Sequence, residues 1–137
     1  MAKAKETRYV LKVIPHHKQR YETLGDWIPG KPASMLVSKL SNPDYEFLVL
    51  FHEFVEHELC KKRGIRDSVV VAFDKKFEKE RAQGLHSKSA EPGASANAPY
   101  RREHLFATRL EKLMAKELGV NWNKYNRAAM RLYNKRK

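Results

Sequence analysis

The chain has 137 residues, of which 42% are hydrophobic and 32% charged, and its net charge is +12. That length suits one domain around one core, and the composition excludes a wholly disordered chain. No run approaches the roughly 18 apolar residues that a membrane span needs.

A single cysteine, Cys60, leaves no internal disulfide and points to a reducing compartment. The opening residues, Met1 to Glu6, carry lysines with no apolar run behind them, unlike a signal peptide. The expected location is therefore the cytoplasm. Charge is unevenly spread. Residues 101–137 hold 11 Lys/Arg and 3 Glu, whereas residues 42–60 hold Asp44, Glu46, Glu53, Glu56 and Glu58 with no Lys or Arg. A basic tail suits a polyanion; the acidic stretch repels one and needs its own explanation.

In chain order, residues 8–14 are β-branched and aromatic and predict a strand ended by Pro15. Residues 21–28 predict a second strand. The turn signal Pro29-Gly30-Lys31-Pro32 follows, then a third strand over 34–40. Three short strands with turns between them suggest an antiparallel meander. Asn42 before Pro43 opens a helix running to about Arg63 and stopped by Gly64. A second helix is expected over 67–82, capped by Asp67. Residues 84–99 are rich in Ser, Ala, Gly and Pro and predict a flexible loop. Helices over 100–118 and 122–135 complete a single α+β domain spanning 1–137, with about three strands and four helices.

The first helix carries the chemistry. His52 and Glu56 are one helical turn apart, inside an apolar stripe formed by Leu48, Val55 and Leu59. Glu53 lies at the stripe's edge, about 100° around from His52. A carboxylate in such a stripe is costly unless it is paired or holds a metal. His-Glu-x-x-Glu differs by one residue from the His-Glu-x-x-His motif of zinc proteases, where i and i+4 bind metal and the intervening Glu is the base. The expected site is therefore His52, Glu56 and, from a distant segment, His104 as metal ligands. Glu53 is the expected catalytic base, with Asp74 and Glu103 as supporting residues. Zn²⁺ suits this donor set, as do Mn²⁺ and Fe²⁺. The competing reading is a buried polar cluster, with His52 and Glu56 paired to each other or to Arg101 or Arg102. His57, at about 140°, reads as solvated. Cys60 reads as a small buried hydrophobe, and His16, His17 and His86 as surface residues.

The run Tyr45 to Glu56, with Leu59-Cys60 and Arg63-Gly64-Ile65 after it, resembles short bacteriophage and prophage proteins of unassigned function. So do Ile14 to Tyr21, Gly25 to Trp27, Ala72 to Asp74 and Ala98 to Ala107. The resemblance implies a phage or prophage source and the host cytoplasm, without implying an activity. Its recurrent polar positions are His52, Glu53, Glu56, Asp74, Glu103 and His104. This chain departs from the pattern in having His57 where a small residue is usual, and in its more basic surface.

In the last helix Trp122, Tyr125, Ala129 and Leu132 recur at spacings of three and four, giving an apolar face. Lys124, Arg127, Arg131 and Lys135 lie away from that face and could contact phosphates. Two functions follow as expectations. One is a metal-binding protein of zincin-like type, a metallohydrolase. The other is a non-enzymatic nucleic-acid-binding or host-interaction protein that uses the basic C-terminal helices.

Overall fold

A computed structural model describes residues 5–133. The order of elements is β1 (Tyr9–Ile14), β2 (Gly25–Ile28), β3 (Ala33–Ser38), α1 (Pro43–Lys62), α2 (Asp67–Ala82), α3 (Arg101–Glu117) and α4 (Trp122–Met130). The α+β class, the three strands and the four helices are as expected. The meander is not. The sheet order is β1-β3-β2, with β2 antiparallel to β3 but β1 parallel to it. The hairpin at 29–32 joins β2 to β3 as its turn residues require. Between β1 and β2 the chain instead takes a long connection containing the short 3₁₀ helix His16–Lys18, and this carries β2 past the place that β3 later fills.

The sheet packs one face on α1. In β3, Met35 and Val37 are buried, and Trp27 sits opposite Met35 in the register. They meet Leu48 and Val49 of α1, Ala115 of α3 and Tyr125 of α4 in one core cluster. Met35, Val37 and Leu48 are among the largest fully buried side chains. Each contributes about 1.5–3 kcal/mol by leaving water. Alanines 107 and 115 are buried on α3, the helix that packs along α1.

Asn42 caps α1 by accepting the Asp44 N–H at 2.8 Å, with Pro43 at the first position, and Gly64 follows the helix at φ +73°. Asp67 does not cap α2; the cap position is Arg66, and Asp67 is the first helical residue. The last helix stops at Met130, short of the expected 135.

The segment between α2 and α3 is a loop, as expected, and it is tied down. The Arg81 guanidinium donates to the carbonyls of Ser87 (2.6 Å), Lys88 (2.9 Å) and Ala90 (2.6 Å). A 3₁₀ turn, Pro92–Ala94, then lies against the start of α3. Among the described residues no helix is long and apolar enough to cross a membrane.

Candidate metal centre

Helix α1 buries His52, Glu56 and Cys60 on one face, four residues apart in sequence, so each stands one turn above the last. Helix α3 runs beside it and carries His104 to the same place. Glu56 Oε2 lies 2.8 Å from His52 Nε2 and 2.9 Å from His104 Nδ1. The two ring nitrogens are 3.2 Å apart. These three atoms face one another and could hold a metal ion.

The far side of each imidazole decides what its near side offers. His52 Nδ1 is 2.7 Å from Glu111 Oε1, and the Tyr125 hydroxyl donates to Glu111 Oε2 at 2.6 Å. His104 Nε2 is 2.8 Å from Glu91 Oε2, on the loop after α2. A carboxylate can only accept, so each of these rear nitrogens carries a proton. A neutral imidazole has one proton, so both front nitrogens then present lone pairs toward a carboxylate oxygen. Three acceptors at 2.8–3.2 Å repel one another unless a cation lies between them, either added protons or a metal ion. The donor set is two imidazoles and one carboxylate, with the rear nitrogens held by carboxylates as in metal sites.

The electrostatics express the same demand. Burial opposes charge on both histidines, but the Glu111 and Glu56 hydrogen bonds raise His52 well above its ordinary value. Those of Glu56 and Glu91 raise His104 to about 9. Burial likewise works against ionisation of Glu56, yet bonds from His104 and His52 lower it to about 2.

Glu53 faces the same cavity, of about 160 Å³. Its carboxyl carbon lies against Gly25 of β2, where a Cβ would come within 3.0 Å of it. Burial and the neighbouring Glu56 raise its pKa well above the carboxylate range. Gly93 makes room in the same way on the loop side, because a Cβ there would overlap His104 Cγ and come within 2.5 Å of Nδ1.

Asp74 lines the cavity wall and accepts from the hydroxyls of Tyr21 (3.1 Å) and Tyr100. Burial raises its pKa to about 7, against the pull of the two tyrosines. Glu103 does not join the cluster. It is buried and pairs with Arg63 Nη1 at 2.5 Å, because its position on α3, one residue before His104, points it elsewhere. Arg101 and Arg102 are exposed and take no part.

Three histidines differ from expectation. His57 is not solvated; it stacks on Trp27 with ring centroids 3.8 Å apart, and burial lowers its pKa to about 4. His16 is buried between Ser38 and Glu22, at 2.8 Å from each. His86 stacks on Phe77. Cys60 is buried as expected, and burial pushes its thiol up to about 12. On α4 and just after it, Lys124, Arg127 and Arg131 are exposed, while Lys135 lies outside the described residues.

Glu111, Glu91 and Tyr125 were not anticipated. Glu111 follows His104 by seven residues, two helical turns on the same face, and that spacing was the available signal. Comparison with family models, with curated proteins and with solved structures finds no match.

Proposed function

We propose that this is a phage-encoded, zinc-dependent metal-binding protein of zincin-like type, a metallohydrolase acting in the host cytoplasm. One observation carries the metal reading: two imidazole nitrogens and one carboxylate oxygen converge within 3.2 Å, with carboxylates behind both histidines. A zinc-class ion bound there supplies Lewis acidity. Glu53 is the proton carrier. Its carboxyl stands in the same cavity, outside the ligand set. The Arg81-tied loop supplies Glu91 and Gly93 to one side of the site. The phage source and the host cytoplasm rest on the sequence resemblance.

The test is metal content of untagged protein by mass spectrometry, beside His52→Ala and Glu56→Ala. Near-stoichiometric metal, lost in both variants, is expected. Metal-free protein that gains no thermal stability from Zn²⁺, Mn²⁺ or Fe²⁺ would leave a buried polar cluster and nothing more. Among hydrolysable substrates, Glu53→Gln should retain metal and abolish turnover.

A further inference from the structure

Strand β1 ends the sheet on one side. It pairs with β3, and among the described residues no strand lies on its outer edge. Monomeric proteins guard such an edge with a proline, a bulge or charges in the exposed row. Over Tyr9–Ile14 there is no proline, and the register with β3 is unbroken. The one charge, Lys12, projects from the face turned away from α1.

Tyr9, Leu11 and Val13 stand beside Ala33, Met35 and Val37 in the register and so share the core face of the sheet. Met35 and Val37 are buried there, yet Tyr9, Leu11 and Val13 stay 37%, 50% and 50% exposed. The cause is that α1 lies over β3 and β2 and leaves β1 uncovered. The flank of α1 that overlooks this gap is apolar as well. Phe47, Leu50 and Phe54 follow the i, i+3, i+7 spacing of one helix side. Phe54 meets Tyr9 with ring centroids 5.3 Å apart. Phe47, 40% exposed, stacks with Phe51 at 6.2 Å. Helix α1 therefore has two apolar sides, and only the one with Leu48, His52 and Glu56 is covered.

A second copy fits this face in one register. Two β1 strands pairing antiparallel about a twofold axis put directly opposed residues on the same side of the joined sheet. An axis at Leu11 sets Leu11 against its own copy and Tyr9 against Val13, so both apolar rows lie together under the two α1 helices. Lys12 then opposes Val10, and like charges do not meet. A slip of one residue would send the two rows to opposite faces. The β1 row and the Phe47 flank offer roughly 600 Å² per copy, about 1,200 Å² in all, which reaches the size of a specific interface.

We propose that β1 and the Phe47–Phe54 flank of α1 form the interface of a symmetric homodimer with Leu11 on its axis. The proposal is independent of the metal reading. Each copy carries +12, but the contact rows carry no charge, so screening favours association.

The test is sedimentation equilibrium of the untagged chain up to about 100 µM, in about 0.15 M and about 0.5 M salt. A mass twice that of the chain is expected, with a lower Kd at the higher salt. Val13→Lys should raise Kd at least about tenfold while keeping the helical circular dichroism, since Val13 is half exposed. Leu113→Lys, at an exposed position on α3, should leave Kd unchanged. Mild oxidation should cross-link Leu11→Cys to its own copy but not Lys12→Cys, whose two sulfurs would be too far apart; Cys60 is buried and stays out of this reaction. A monomer at every concentration and salt would overturn the proposal and leave the edge to a partner of different sequence. A dimer that ignores Val13→Lys, or that cross-links through Lys12→Cys in place of Leu11→Cys, would overturn it equally.

Discussion

Glu111→Ala tests the rear support of His52. Glu111 is buried and accepts two bonds, from His52 Nδ1 at 2.7 Å and Tyr125 Oη at 2.6 Å. Truncation leaves both donors buried without an acceptor, at a cost of about 1–3 kcal/mol each. The sum is on the order of 2–6 kcal/mol, which lowers Tm by roughly 6–24 °C in a domain of this size. The same change frees the His52 ring to rotate or change tautomer, and loss of such a support weakens metal binding about 10–100-fold. Glu111→Gln should cost much less. Its carbonyl can still accept from His52, and its amide can donate to the Tyr125 oxygen. Tyr125→Phe removes one bond to a charged acceptor and should cost about 1.5–3 kcal/mol. Because both changes break the same bond, Glu111→Ala and Tyr125→Phe should be less than additive in a double-mutant cycle. Thermal melts of metal-free protein and zinc titration against a competing chelator read the two effects separately. Zinc affinity of Glu111→Ala within twofold of wild type would refute the relay, whatever happened to stability.

Gly93→Ala places a Cβ against the His104 ring, which Glu56 and Glu91 hold from both sides. Overpacking costs about 1–3 kcal/mol. Zinc affinity should fall at least tenfold, and a calorimetric titration indistinguishable from wild type would contradict the cradle. Asp74 gives a pH signature. Its folded pKa of about 7 exceeds its ordinary value of 3.8, so the folded state holds the proton more tightly than the unfolded chain. Its contribution to stability is fully present below pH 3.8 and lost as pH rises to about 7, by on the order of 4 kcal/mol. The stability difference between wild type and Asp74→Asn should therefore shift against wild type between pH 4 and 7, measured by urea unfolding; a flat difference would mean an ordinary carboxylate. His104 raised to about 9 means that a metal must displace a proton at neutral pH. Zinc affinity should accordingly rise with pH up to about 9, with proton release measurable by calorimetry in buffers of different ionisation enthalpy.

Much of this protein is determined by local rules readable along the chain. Period and caps locate the four helices: Asn42 with Pro43 opens α1, and Gly64 sits just past its end at positive φ. The i,i+4 spacing puts His52 and Glu56 on one buried face because a helix returns after about 3.6 residues. The pairing of His104 with that face was also legible, as the one histidine on another amphipathic helix. What the chain could not disclose is set by contacts between distant segments. Alternation marks strands without naming their neighbours, so the parallel placement of β1 beside β3 appears only once the long connection after Ile14 is folded. Loop residues have no period, so nothing in sequence tells that Glu91 reaches His104, or that Gly93 leaves room for its ring. His16 and His57 read as surface residues because local polarity carries no information about which element will cover them; Ser38 and Trp27 do so from the sheet. Glu103 and Glu111 are both buried on α3, and only the way α3 packs against α1 decides their roles. Glu111 lies two turns from His104 and meets His52, whereas Glu103, one residue before His104, turns to Arg63.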